Sequence, residues 1–258
     1  MSASDEGNAR GKRQQVVAGL GIALGVVGGF AALLPGPWYQ LGWIDLGLAF
    51  SILEYAAWLG LAGAACGFGV ILAALVGRRR SLLIAGVVAV VFGLGAAAWP
   101  LYMQHKADAV PPIHDITTDT DDVPAFEALA AEREEAPNAV DHPGQDTIDQ
   151  QREAYPDVQS RRYAASAEAV FEAAKEAARV MQWQIEQADS DDGRIEAVAV
   201  TPWFGFRDDV VIRIREDGDE SVVDVRSASR VGRSDLGVNA ERIREFLGTL
   251  DGHFGSQD

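Results

Sequence analysis

Three apolar stretches, residues 16–34, 56–76 and 82–102, contain no Asp, Glu, Lys or Arg. Each is close to the roughly 20 residues with which a helix crosses a hydrocarbon core of about 30 Å. Inside lipid the backbone must satisfy its own hydrogen bonds, so each stretch is read as a helix. The chain is therefore an integral membrane protein by composition. An acidic remainder dilutes the apolar third and hides it in whole-chain averages.

Charge orients the spans. Arg10, Lys12 and Arg13 precede the first stretch, and Arg78, Arg79 and Arg80 lie between the second and third. The loop between the first two has no Lys or Arg and carries Asp45 and Glu54. The positive-inside rule puts the N-terminus and the triple-arginine loop in the cytoplasm, and everything after Tyr102 outside. In a double-membrane bacterium this means an inner-membrane anchor with a periplasmic C-terminal domain. A cleaved signal peptide fits poorly, because the first apolar core is long and no small-x-small site follows it before Pro35. A fourth crossing through 41–55 would bury Asp45 and Glu54 at high cost. An interfacial segment is expected there, with Trp38, Tyr39, Trp43 and Trp58 forming an aromatic belt.

Small residues repeat every fourth position: Gly21, Gly25 and Gly29; Gly63 and Gly67; Ala85, Ala89, Gly93 and Ala97. This spacing lets helices approach closely in lipid. A compact three-helix bundle within one chain is the preferred reading, and oligomerisation through these faces is the alternative. No span carries an ionisable residue, so nothing suggests an ion or proton path.

Of 22 Lys/Arg only six precede Lys106, and of 38 Asp/Glu only four, which leaves residues 106–258 with a formal charge of −18. Phosphate neutralisation needs a basic footprint, so nucleic acid is excluded as a partner. The single cysteine, Cys66, lies in a span and says nothing of redox compartment. The expected division is a cytoplasmic tail at 1–15, an anchor at 16–105, an acidic Pro/Asp-rich extended connector at 106–157 and a soluble α+β domain at 158–258.

In the connector, PAFEALAAEREE (124–135) suits a short helix with Pro124 in its first turn. Residues 138–151 are polar and are expected to be mobile or wrapped on the surface. The domain proper reads as strand, helix, four strands, helix. A strand is expected at 161–165, then a helix to Met181 with Ser166 as N-cap and Val170, Phe171, Ala174, Ala178 and Met181 on one face. Strands follow at 182–187 and 195–200, with a turn at 190–193. Asp217-Gly218 between two alternating runs predicts a hairpin. Any pairing there places Val210, Ile212, Ile214, Val223 and Val225 on one face, and Arg213, Arg215, Asp224 and Arg226 on the other. The last helix spans about 236–250 and buries Ile243, Phe246, Leu247 and Leu250. Short turns make the sheet antiparallel, with both helices on one face.

Several segments resemble one family: PPIHDITTD (111–119), YPDV (155–158), GRIEA (193–197), FRDDVVIRI (206–214) and VDVRSASRVGRSDLGVNAERIREFL (223–247). They closely resemble the family called domain of unknown function 1499, over nearly all of 109–250. Members often carry a few spans before the domain. The resemblance implies a fold boundary and a motif set but no activity, cofactor or mechanism.

Three places invite a function. The loop SASRVGRSD (227–235) joins a strand end to a helix start, with Arg226, Arg230 and Arg233 nearby and Ser234 and Asp235 at the helix. Guanidinium forks and free amides there suit an anion. The competing reading pairs these arginines with Asp208, Asp209, Asp224 and Asp235 as a clasp, Ser234 or Asp235 being only a cap. His114 with Asp115, Asp119, Asp121 and Asp122 offers metal-ligating atoms, but no spacing matches a known loop, so no metal and no cofactor are expected. Trp203, Phe204 and Phe206 either line an apolar ligand site, touch the bilayer, or cap the core.

No P-loop, nucleophile elbow or HExxH pattern occurs. The leading expectation is a non-catalytic extracytoplasmic domain that binds an anionic or amphiphilic ligand, a lipid, or an envelope protein partner. The alternative is a membrane-tethered hydrolase using Asp208 or Asp209.

Overall fold

The computed structural model describes residues 3–254. Positions 1–2 and 255–258, the outer ends of the expected tail and domain, lie outside the described residues. The chain forms two compact units, Met1–Lys106 and Ala107–Asp258.

The first unit holds α1 (Ala3–Leu33), α2 (Pro35–Gln40), α3 (Leu46–Gly77) and the start of α4 (Arg80–Ala109). Among the described residues, three helical segments are long and apolar enough to cross a membrane: Gly11–Gln40, Leu46–Gly77 and Arg80–Ala109. The interfacial segment expected at 41–55 is mostly helical. Asp45 caps α3 by accepting the Leu48 N–H at 2.8 Å, and nothing after it breaks the helix. The exposed side chains of Trp43, Glu54, Tyr55 and Trp58 lie on either side of that start.

The small residues close the contacts among α1, α3 and α4. A Cβ on Gly25 would stand 2.8 Å from the Gly93 nitrogen, and one on Gly67 would stand 2.7 Å from the Gly86 oxygen. Backbone meets backbone at these crossings, which is what lets dispersion hold helices together in lipid. Gly29, although in register with Gly21 and Gly25, has nothing within 4 Å.

The second unit is an α+β domain. Among the described residues its strands are β1 (Asp115–Thr117), β2 (Arg161–Tyr163), β3 (Gln184–Asp189), β4 (Arg194–Val200), β5 (Arg207–Asp217) and β6 (Glu220–Ser229). They form one antiparallel sheet in the order β1-β6-β5-β4-β3, with β2 also paired to β6. The hairpin register is Val210 opposite Ser227, Ile212 opposite Val225 and Ile214 opposite Val223. The parity read from the sequence therefore holds. Gly193 serves the β3–β4 turn with φ +59°. Its carbonyl accepts the Ile214 N–H at 2.7 Å, and any Cβ there would overlap the Ile214 carbonyl.

Helices α7 (Ala167–Val180) and α8 (Val238–Phe254) cover one face. Ser166 caps α7 by accepting the Ala169 N–H. Phe171, Ala174, Ile243, Phe246 and Leu247 bury against Ile195, Ile212, Val223 and Val225. Trp183 stacks on Phe246 at 5.4 Å between ring centroids. Helix α8 starts two residues later than expected, because Leu236 and Gly237 take left-handed φ values of +58° and +77°.

The connector expected at 106–157 is not a spacer. From 107 onward it belongs to the same compact unit as the sheet and straps the face opposite the helices. Strand β1 pairs with β6, and α5 (Ala130–Glu134) and α6 (Gln145–Ala154) follow it. Phe126 and Leu129 bury against Val198, Val211 and Ala228. The Gln151 side chain accepts the Thr117 N–H at 3.0 Å and donates to the Thr117 carbonyl at 2.6 Å, so a side-chain amide completes the outer edge of β1. Pro and Asp content misleads here, because few apolar anchors suffice when buried polar groups also hold the segment.

Candidate functional site

The strap covers a layer of charge. Alternation along β4, β5 and β6 points Glu196, Asp209, Arg213, Asp224 and Arg226 toward it. Glu196 is fully buried and accepts the N–H groups of Glu127 and Leu129 at 2.8 and 2.9 Å. Asp224 accepts from Ser160, Arg213 and Arg215. Arg226 meets Asp115 through two bonds of 3.0 and 2.8 Å, donates to the carbonyls of Pro124 and Val140, and lies 4.6 Å over the Phe126 ring. Asp209 joins Arg133 at 2.8 Å and Arg230 at 2.8 Å. The second Arg230 partner is Glu132, also at 2.8 Å. Burial opposes the charge on Arg230, but the Asp209 and Glu132 carboxylates outweigh it and raise its pKa.

The arginine loop read as an anion site is therefore corrected for two of its three arginines. The Arg226 and Arg230 forks are taken by carboxylates of the strap and of β5, which leaves no fork free for a ligand. Ser234 accepts the Leu236 N–H at 3.2 Å, and Asp235 accepts the N–H groups of Gly237 and Asn239, both at 2.8 Å. These two residues build the start of α8. Burial raises the Asp235 pKa against those two bonds. Of the clasp partners the sequence offered for these arginines, Asp209 is in place, on Arg230. Asp235 pairs with none of these arginines, and Asp208 binds Arg242 at 2.6 Å on the helix side of the sheet. There Arg242 also reaches Ser227 and Asn239, and Asn239 donates to the His114 carbonyl.

The acidic residues beside His114 disperse into ion pairs. Asp115 holds Arg226, Asp119 faces Arg213 and Arg215, Asp121 faces Arg152, and Asp122 faces Arg213. Among the described residues no three His, Cys, Asp or Glu side chains converge on a common point.

The aromatic loop closes on itself between β4 and β5. Thr201 accepts the N–H groups of Gly205 and Phe206, both at 2.9 Å. Phe204 stacks on Phe206 and meets Trp203 edge-on, each at 4.9 Å. Phe204 is buried, while Trp203 and Phe206 are half-buried.

What remains open lies at this end of the sheet. Arg207 starts β5 and Arg233 lies just beyond β6. Both are exposed and neither makes an ion pair among the described residues. The Arg207 carbonyl accepts the Arg230 N–H, which ties the two loops together. The chain arrives here too, since the Ile113 carbonyl accepts the Asp235 N–H at 3.1 Å. The opposite end carries the β3–β4 and β5–β6 turns, with Asp191, Asp192, Asp217 and Asp219 exposed.

The family described as "Protein of unknown function (DUF1499)" matches residues 115–250. The chain belongs to this family. The DUF1499 match begins on β1 and ends on α8, so it takes in the strap as well as the sheet and both covering helices. One solved structure with similarity to the chain is CalU16 from Micromonospora echinospora. It is 23% identical over 34% of this chain and 71% of that one, with a TM-score of 0.24. No curated protein matches the chain.

Arg133, Glu196, Arg242 and Asn239 were missed as organising residues by sequence reasoning, whereas Asp224 was read on the charged hairpin face with Arg213 and Arg215, which it pairs. One left a trace: Glu196 interrupts the apolar run of β4 (RIEAVAV), as Asp224 interrupts VVDV in β6. A charge amid a buried strand pattern announces a buried partner.

Proposed function

We propose that this chain is a three-span anchor of a bacterial inner membrane presenting a non-catalytic domain outside the cytoplasm, and that the domain binds an anionic, amphiphilic ligand. The carrying observation is two exposed arginines with no ion pair among the described residues, Arg207 next to the aromatic loop and Arg233 just beyond β6 at the same end of the sheet. A guanidinium suits a phosphate or carboxylate headgroup. The half-buried Trp203 offers an amphipathic edge for what lies next to it. The charge asymmetry of the domain favours the same end, because an anion is repelled by the acidic turns opposite. Asp208 and Asp209, the residues a hydrolase would need, are both held by arginines, which supports a binding role over a catalytic one.

The orientation has its own test. A C-terminal alkaline-phosphatase fusion is expected to be active, and a reporter inserted at 77–81 is expected to behave as cytoplasmic. The reverse pattern would overturn the placement outside.

For the ligand, short-chain phosphatidylglycerol is the probe and short-chain phosphatidylcholine the control, titrated into the full chain in neutral detergent. Charge-assisted hydrogen bonds contribute about 1.5–3 kcal/mol each. Changing Arg207 and Arg233 together to Ala is therefore expected to weaken phosphatidylglycerol binding at least about tenfold, with the melt unchanged. Equal affinity for both lipids, or no effect of the double change, refutes the ligand class. A co-purifying envelope protein lost in the double variant would instead make the partner a protein.

A further inference from the structure

The strap carries a titratable group whose present hydrogen bond forbids a second proton. His142 lies between Val140, whose carbonyl binds Arg226, and Gly144, which caps α6. Its Nδ1 accepts the Gly144 N–H at 3.1 Å. An imidazole nitrogen that accepts must be unprotonated, so the single ring proton of His142 sits on Nε2. That Nε2 is buried, and among the described residues no group accepts from it. A second proton would enter at Nδ1 and set N–H against N–H.

The surroundings offer little to a cation. Arg226 from β6 and His114 from the segment before β1 both oppose positive charge on His142. Asp115 of β1 favours it, but both carboxylate oxygens of Asp115 already bind Arg226. On the strap itself Asp141 and Asp146 are exposed to water. Burial is the largest influence and lowers the His142 pKa below the ordinary imidazole value.

What the Gly144 bond secures is α6. The carbonyl of Gly144 accepts the N–H groups of Thr147 and Ile148, which starts the helix. Helix α6 then delivers Gln151 to the backbone of Thr117. We propose that the strap is an acid-released latch: protonation of His142 at Nδ1 breaks its bond to the Gly144 amide, loosens α6 and uncovers the outer edge of β1. The proton comes from solvent and no covalent bond changes.

The sign follows from linkage. A histidine whose folded pKa is depressed binds fewer protons folded than open. Its share of strap stability is complete above the ordinary value of about 6.5 and is lost as pH falls from there toward the folded pKa. Within that window, opening is expected to rise by up to about tenfold per pH unit.

The test is amide hydrogen exchange on the full chain in detergent, corrected for intrinsic rates, between about pH 7.5 and about pH 5. Peptides over 144–151 and around Thr117 should lose protection on acidification, while the β5–β6 hairpin keeps it. His142→Asn retains an acceptor near the Nδ1 position but cannot titrate, so its strap should stay protected. His114→Asn should respond like the wild type. The same acid response in His142→Asn, or a flat wild-type profile, overturns the proposal. Should His142→Asn fail to fold, ring nitrogen shifts in the wild type decide. Nδ1 unprotonated at neutral pH, with a pKa below the ordinary value, is the expected result. Nδ1–H at neutral pH overturns the latch.

Discussion

Asp209→Ala is expected to lower the melting midpoint of the domain by about 10–20 °C, or to abolish folding at growth temperature. Asp209 is fully buried and is the carboxylate partner of Arg133, which is itself fully buried, and of Arg230. Removing it leaves two guanidiniums facing each other under the strap. Breaking a buried pair by deleting one partner costs about 3–5 kcal/mol, because the survivor stays desolvated and uncompensated. Whole domains have only about 5–15 kcal/mol to lose. Arg230→Ala should cost less, since Asp209 keeps Arg133 and Glu132 is exposed to water. Neutralising Asp121, a surface partner of Arg152, should leave the melt unchanged. Near-ultraviolet circular dichroism of the full chain in detergent would rank the three. An Asp209→Ala melt equal to that of the Asp121 variant would show that the strap contributes nothing to the fold.

Gly93→Leu is expected to separate α3 from α4. Even a single carbon on Gly93 would overlap the Gly60 carbonyl and sit 2.5 Å from the Ala64 nitrogen. Neither atom can move without moving its helix. Overpacking a tight core costs about 1–3 kcal/mol when side chains can yield, and backbone contacts put this case at or above the upper end. Gly95, two residues on, has nothing within 4 Å, so Gly95→Leu is the matched control. Thermal aggregation in detergent should shift sharply for Gly93→Leu and not for Gly95→Leu. Equal behaviour would mean the small residues do not pack as the structure has them.

The spans, the hairpin parity and the Ser166 cap were legible because each depends on residues near one another in sequence. Alternation over a few positions is enough to say that Ile212 and Val225 share a face. The site was not legible in the same way. Arg226 finds Asp115 111 positions away, and Arg230 finds Glu132 98 positions away. No local pattern selects among 38 acidic residues which one pairs with which arginine. Reading three nearby arginines as a ligand site was reasonable electrostatics applied without knowledge of the strap. Helix α6 was hidden for a related reason. QDTIDQQREA has a single aliphatic residue beyond Ala, and Gly144 offers it no side-chain cap. It is helical because Gln151 and Ile148 have something to hold.

The pairing of β1 with β6 also bears on how the chain is made. The strap precedes the sheet in sequence, yet its strand must wait for the last strand of the sheet before it has a neighbour. Contacts so distant in sequence slow folding, since the loop they close must be ordered first. As the polypeptide emerges from N- to C-terminus, Asp115 and Arg133 stay hydrated until β5 and β6 follow. Closure of the strap thus comes only after nearly all of the domain has emerged. In a nascent chain arrested before β6, β1 has no strand to pair with and the Asp115 carboxylate no Arg226, so the strap stands open to proteases.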